Sequence, residues 1–165
     1  MNTQRFLKQR GFTLIEMLVT IVIAAILLAV ALPSFLSSIQ SRQASAIAND
    51  LTQDIAWARG SAIAGAQNVS LTLQPNCSWA SAEGNPAASV PLHSKTLQQA
   101  SSQAPGASCS GVPSSGLVLS FDSLGMVSTA GNVDTVVTVT TPQGASVQLQ
   151  IFASGIVVEN SNAAS

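Results

Sequence analysis

Residues 11–33 read GFTLIEMLVTIVIAAILLAVALP, and Glu16 is the single charge within this apolar run. A helix needs about 20 apolar residues to cross the hydrocarbon core of a bilayer, so this run is long enough to span one. The residues before Gly11 are polar, and they carry Arg5, Lys8 and Arg10. Because basic flanks stay on the cytoplasmic side, the pattern predicts one membrane span with the rest of the chain outside the cytoplasm.

A cleaved secretory signal peptide is the alternative interpretation of the same segment. Ala29-Val30-Ala31 fits the small-residue cleavage pattern, and cleavage after Ala31 would release a secreted β domain. The apolar run is, however, longer than the usual run of about 7–15 residues in signal peptides. An acid such as Glu16 also costs about 2.5–3.5 kcal/mol to insert, so its presence indicates a function within the membrane. We therefore expect the segment to be retained.

The residues Gly11-Phe12-Thr13-Leu14-Ile15-Glu16 resemble the class III signal of type IV prepilins and pseudopilins. Pro33, directly after the apolar run, matches a pattern common in pilus proteins. The resemblance implies a leader of residues 1–11, which a prepilin peptidase removes between Gly11 and Phe12 before N-methylating Phe12. It also implies that residues 12–33 anchor the subunit in the inner membrane and later pack among other pilins in the core of a filament.

Glu16 has a physical role in that interpretation. Cleavage creates a cationic amine at Phe12, and a lone charge in a medium of low dielectric constant is very unfavourable. Glu16 of one subunit can neutralise the Phe12 amine of a neighbour and fix the axial offset between their helices. In the alternative, Glu16 lies at the level of the lipid headgroups and has no partner.

A second helical pattern, residues 34–66, follows the apolar run. Ile47, Leu51, Ile55, Ala58 and Ala62 recur at helical spacing and form one apolar stripe, which needs a partner from the C-terminal region. Glycines at 60 and 65 predict the end of the helix there. Asp50 and Asp54 lie off the stripe, where we expect a solvated patch or a contact between subunits.

The remaining residues, 67–165, show the alternation of β-strands. Strands are predicted at 69–73, 116–121, 133–141, 146–152 and 156–159, and together they predict an antiparallel sheet with one face on the helix. Residues 75–115 are rich in small and polar residues and predict a long variable loop with a short strand near 92–97. His93 and Lys95 fall in it, and we expect both to be solvated. The fold class is therefore α+β, a long N-terminal helix against an antiparallel β domain.

Residues 116–131 (GLVLSFDSLGMVSTAG) and 146–159 (SVQLQIFASGIVVE) resemble the GspH/FimT class of minor pilins and pseudopilins. Some members of that class bind DNA through a Gly-Arg-x-Arg pattern near the C-terminus. Here the matching residues are Gly155-Ile156-Val157-Val158, and Gly125 is followed by Met126. Because the arginines are missing, the sequence does not favour nucleic acid as a partner.

Cys77 and Cys109 are the two cysteines of the chain. In an exported domain the default interpretation is a disulfide, and the alternative is a pair of buried thiols. His93 is the only histidine, so the sequence predicts neither a metal site nor another cofactor.

Catalysis is not indicated by this composition. Charged residues make up only 8% of the 165 residues, against about 25% in a typical soluble domain, and no Ser-His-Asp set or phosphate-binding loop is evident. The sequence predicts a non-catalytic minor pilin that assists assembly of a type IV pilus. The alternatives are an H-type pseudopilin of type II secretion, a major pilin, a DNA receptor at a pilus tip and the secreted β domain.

Overall fold

The structure is a computed structural model that describes residues 12–84, 93–129 and 134–160, without the side chains of residues 32–34. The chain divides into two compact units, one ending at Leu36 and the other beginning at Ser37. Helix α1, Leu14–Gly65, contributes residues to both. The predicted leader, residues 1–11, lies outside the described residues.

Both ends of α1 are closed by local hydrogen bonds. The backbone N–H of Glu16 donates to the Thr13 hydroxyl at 3.3 Å, which satisfies one of the free donors of the first turn. At the other end Ala66 takes a left-handed conformation with φ of 49°. The Gln67 N–H then donates to the Ala62 carbonyl at 3.3 Å, as in a Schellman motif. The helix thus ends at Gly65, as the glycines predicted. Its backbone is helical at residue 33 as well.

Nine strands and a second helix follow within the described residues. They are β1 Val69–Leu73, β2 Trp79–Glu83, β3 His93–Lys95, α2 Leu97–Gln103, β4 Ser108–Ser110, β5 Leu117–Phe121, β6 Val127–Thr129, β7 Thr135–Thr140, β8 Ser146–Ile151 and β9 Val157–Asn160. The predicted strands at 69–73, 116–121, 146–152 and 156–159 correspond to β1, β5, β8 and β9. The strand predicted at 133–141 corresponds to β7, and its first residue, Val133, lies outside the described residues.

The strands form two antiparallel sheets, where the sequence predicted one. In the described residues the first sheet has the order β3-β2-β1-β5-β6, and the second has the order β4-β7-β8-β9. Strand β4 is an edge strand of the second sheet. It pairs with β7 and places Cys109 opposite Val139. The α+β class is confirmed, as a long helix followed by antiparallel sheets.

The predicted stripe of α1 is the centre of the hydrophobic core. All five of its residues have 0% exposure, as do Ala44 and Ala48 on the same side. The partners come from both sheets, and they share the alternation of strands with one buried face. They include Leu71, Leu119 and Phe121 of the first sheet and Val137, Val139, Leu149 and Ile151 of the second. Between the buried residues of β7 and β8, Thr138, Gln148 and Gln150 are half-buried.

The prediction of a long loop over residues 75–115 was wrong except for its short strand near 92–97, which corresponds to β3. This region contains β2, β3, α2 and β4, with residues 85–92 outside the described part. The sequence of β2, WASAE, is poor in β-branched residues and therefore gives a weak strand signal. Helix α2 begins at a capping box: the Gln99 N–H donates to the Thr96 hydroxyl, and the Thr96 N–H donates to the Gln99 side chain.

The predicted disulfide between Cys77 and Cys109 connects the two sheets. Cys77 lies in the turn between β1 and β2, and Cys109 lies on β4. Cys77 is 0% and Cys109 3% exposed. Beside the disulfide, the Cys109 N–H donates to the Pro75 carbonyl at 2.8 Å. The first sheet's hairpin turn is therefore fixed to the edge of the second sheet.

Replacing both cysteines, Cys77→Ala with Cys109→Ala, should lower the free energy of unfolding by about 3–4 kcal/mol. The bond closes a loop with a sequence separation of 32 residues, and closing such a loop restricts the unfolded chain. Urea unfolding of a fragment beginning at Ser37, which contains the whole core cluster, measures the loss. An unchanged urea midpoint in the double variant would contradict this role.

Candidate functional site

The first unit presents an apolar surface without any covering in the described residues. Within the described residues, α1 contains one stretch whose length and composition would allow it to cross a membrane. None of this stretch is buried. Its large apolar side chains are all exposed, from 46% for Val19 to 83% for Leu14. In water such a surface is unfavourable at about 25 cal/mol per Å². Its natural surroundings are therefore lipid or other apolar helices.

Glu16 stands out on this surface because the other polar side chains nearby are satisfied within the helix. The Thr20 hydroxyl donates to the Met17 carbonyl at 2.8 Å, and the Thr13 hydroxyl accepts from the backbone of Glu16. Neither of the two ion pairs found within the described residues involves Glu16. Its place in the first turn of α1 puts the carboxylate near the positive end of the helix dipole.

The predicted processing and assembly residues are only partly described. Phe12 is 77% exposed, four residues before Glu16. Gly11 lies outside the described residues, and so does the side chain of Pro33. The cleavage site and the roles of Glu16 and Pro33 therefore stay predictions.

The second unit contains a polar cluster that the sequence did not predict. Asp54 of α1 accepts a hydrogen bond from the Trp79 indole N–H at 2.6 Å through Oδ2, and its Oδ1 lies 2.9 Å from His93 Nδ1. The His93 ring stacks on Trp57, with 4.6 Å between ring centroids. Trp79 is 3% exposed, so Asp54 gives a buried donor its partner.

Lys95 of β3 adds a second ion pair to the cluster, because it contacts Asp50, which lies one helical turn before Asp54 on α1. Its ammonium group donates to Asp50 and to the Gln103 side chain, and it lies 5.3 Å from the centre of the Trp79 ring. The Lys95 side chain is only 10% exposed. A buried charge is tolerated when it is paired and hydrogen-bonded, and Lys95 meets both conditions. The expectation that Lys95 is solvated was therefore wrong.

The spacing of residues along α1 and along β3 explains why Asp50 pairs with Lys95 and Asp54 with His93. Residues four apart on a helix rise by about 6 Å, and residues two apart on a strand by about 6.6–6.8 Å on the same face. Asp50 and Asp54 on α1 thus face Lys95 and His93 on β3. Asp54 does not fit the solvated patch that we expected, because it is paired and its side chain is only 18% exposed. Asp50 is paired with Lys95 and keeps 42% of its side chain exposed. The alternative, a contact between subunits, stays a prediction. The spacing of the two pairs is the signal that could have identified this contact.

The polar cluster borders a cleft of about 450 Å³, whose lining includes Gln53, Gln99 and Ser102. In the described residues the His93 ring contacts Asp54 and Trp57, while the Ser81 hydroxyl contacts the His93 backbone. The described residues also hold no group of three side chains suited to a metal ion. The contacts therefore attach β3 and α2 to α1, and they do not assemble a nucleophile with a base.

Comparison with known families gives two matches. A model of the prokaryotic N-terminal methylation motif matches residues 7–32, and a model of the type II transport protein GspH matches residues 48–155. The second match covers more than half of the chain. No curated protein and no solved structure matches.

Asp54→Ala should lower the free energy of unfolding of the fragment beginning at Ser37 by about 1–3 kcal/mol, since the buried Trp79 indole loses its acceptor. Asp54→Asn retains an acceptor oxygen and should lose less. The control is Gln53→Ala at an exposed position of the same helix, with an expected change within about 0.5 kcal/mol. Equal urea midpoints for Asp54→Ala and Gln53→Ala would contradict this assignment.

Proposed function

This chain belongs to the GspH family of type IV pilin-like proteins, and from that premise we propose that it is a non-catalytic minor pilin that helps to assemble a type IV pilus. The observation that carries the proposal is the apolar surface of residues 12–31, which is exposed throughout and interrupted by the carboxylate of Glu16. A folded β unit with its own core accompanies that surface. This combination suits a subunit that polymerises through its N-terminal helix.

Maturation is the first step of the proposal. A prepilin peptidase cuts between Gly11 and Phe12 and methylates the new amino terminus. The match to the N-terminal methylation motif over residues 7–32 supports this step. The apolar helix stays attached, because cleavage falls before it.

The subunit is then anchored in the bacterial inner membrane by residues 12–33. Residues 34–66 continue the helix, and residues 67–165 form a periplasmic β domain. The basic residues before Gly11 support this orientation, since they favour the cytoplasmic side. The disulfide between Cys77 and Cys109 supports an oxidising compartment for the second unit.

Assembly depends on Glu16 in this proposal. Moving a carboxylate or an amine alone into a medium of low dielectric constant costs several kcal/mol, and removing one partner of a buried pair costs about 3–5 kcal/mol. Glu16 of an incoming subunit and the Phe12 amine of its neighbour neutralise each other when both enter the filament core. Only one axial offset brings the two groups together, so the pair also sets the register. Pro33 lies where the apolar segment ends and gives up one backbone hydrogen bond there.

An H-type pseudopilin of a type II secretion system is the second candidate. The matching family is that of a type II transport protein, which favours this candidate. Both candidates use the same anchor and the same charge pair. Deletion of the chain, followed by separate assays of pilus assembly and of exoprotein release, distinguishes the two.

Glu16→Leu should reduce incorporation into filaments by at least about 100-fold, because loss of one partner of a buried pair costs about 3–5 kcal/mol. Quantitative immunoblotting of sheared filaments against the membrane fraction measures incorporation. Glu16→Asp keeps the charge and should retain part of the incorporation into filaments. Ser101→Ala, at an exposed position of α2, is the control and should be incorporated normally.

Intact mass spectrometry of each variant confirms processing. A chain beginning with methylated Phe12 shows that the loss arises after cleavage. Unchanged incorporation of Glu16→Leu would contradict the proposed mechanism, and a mature chain beginning at Leu32 would contradict the proposed anchor.

A further inference from the structure

The cleft beside the polar cluster has a use that folding alone does not require. Its lining comes from α1, β2, β3 and α2, all within the second unit. Its volume of about 450 Å³ lies within the range of about 300–1,000 Å³ that is usual for small-molecule sites. The cleft is therefore large enough to hold a small ligand.

The walls of the cleft are held in place by contacts with α1. The indole N–H of Trp79 donates to Asp54, and Trp79 is 3% exposed. Helix α2 buries Ala100 and is joined to α1 where the Gln103 amide donates to Asp50 at 3.2 Å. Because these elements are fixed to one helix, the cleft is formed before a ligand arrives. Preorganisation of this kind lowers the entropy lost on binding.

The charged groups that line the cleft are paired with one another. The ammonium group of Lys95 donates to Asp50 and to the Gln103 side chain. Nδ1 of His93 lies 2.9 Å from Oδ1 of Asp54. An anionic ligand is bound through free cationic groups, and a cationic ligand through free carboxylates. Since these four charged residues already pair among themselves, the cleft favours an uncharged ligand.

The polar groups that remain for a ligand are amides, hydroxyls and one carboxylate edge. The Gln53 side chain is exposed, and the Asp50 side chain keeps 42% exposure beside its ion pair. Gln99 uses Oε1 to accept from the Thr96 N–H, and its two amide N–H donors have no partner in the described part of the chain. Ser102 donates to the Gln99 carbonyl at 2.9 Å, and its oxygen can still accept. This mixture of donors and acceptors matches a ligand with many hydroxyl groups.

Apolar ligands do not match this lining. Trp79 is the one hydrophobic residue among the described residues that line the cleft, and it is buried. Peptides are commonly recognised through apolar grooves and side-chain pockets, which this lining does not supply. One aromatic surface lies at the border, where Trp57, 36% exposed, stacks on the His93 ring. Such a surface can pack against the C–H groups of a ring while polar groups bind its hydroxyls.

From these observations we infer that the cleft is a binding site for an uncharged carbohydrate. Asp50, Gln53 and Gln99 hydrogen-bond its hydroxyl groups, and the stacked rings of Trp57 and His93 pack against one sugar ring. This activity goes beyond the proposed function. It does not depend on Glu16, so its failure would leave the proposed function intact.

Tryptophan fluorescence of the full-length chain tests the inference, because Trp57 and Trp79 are the two tryptophans of the sequence and both belong to the cleft or its border. The chain is held in phosphocholine micelles, which contain no sugar, and is titrated with three uncharged trisaccharides: maltotriose, cellotriose and triacetylchitotriose. We expect a saturable change in fluorescence with at least one of them. The absence of a saturable change with all three would overturn the inference, and so would an equal response to sodium phosphate or to acetylated, amidated trialanine.

Variants of the cleft give the second readout. Gln53→Ala removes an exposed amide, and Gln99→Glu removes the amide donors while keeping the oxygen that caps α2. Each should weaken binding of the responding trisaccharide by about twofold to tenfold, as expected for one neutral hydrogen bond. Gln98→Ala, at an exposed position of α2 outside the lining, is the control and should bind as the unaltered chain does.

Urea unfolding of each variant shows whether the fold is retained. Folded Gln53→Ala and Gln99→Glu variants that bind as tightly as Gln98→Ala would place the sugar elsewhere and overturn the inference. Weaker binding by both variants, with unchanged urea midpoints, is the result that the cleft predicts.

Discussion

A carboxylate in an apolar segment needs a partner of opposite charge, and this constraint explains the role that we propose for the N-terminal unit. Glu16 sits in the first turn of a helix whose neighbouring large side chains are all apolar and exposed. In lipid or in a filament core, a lone charge at this position is costly, and a paired one is tolerated. The same carboxylate that destabilises an isolated subunit thus becomes favourable when a cationic terminus from another subunit meets it. Polymerisation is the proposed way of satisfying the constraint.

The second unit applies a related principle inside one fold. One side of α1 is apolar and lies in the core, with Leu51 and Ile55 at 0% exposure. Three polar residues of the helix find partners from the β region: Asp50 with Lys95, Asp54 with Trp79 and His93, and Arg59 with the Gly125 carbonyl. The helix therefore positions both sheets and the turn that contains Gly125.

Local patterns in the sequence predicted the apolar segment, the stripe from Ile47 to Ala62 and most of the longer strands, because those patterns depend on neighbouring residues. The errors have a common physical cause. Residues 75–115 give weak strand and helix signals, and the burial of their side chains depends on distant partners such as Asp50 for Lys95. The split into two sheets likewise depends on the pairing of β4 with β7. Single-sequence periodicity contains little of this long-range information, although the matched spacing of the acids and of His93 with Lys95 hinted at it.

The most direct test of the central claim is zero-length carbodiimide coupling in intact filaments, followed by mass spectrometry of the peptides. Carbodiimide joins an amine to a carboxylate only when the two are in contact. The proposed charge pair predicts an amide between the Phe12 amine of a neighbouring subunit and Glu16 of this chain. Coupling of Glu16 to any other amine would contradict it.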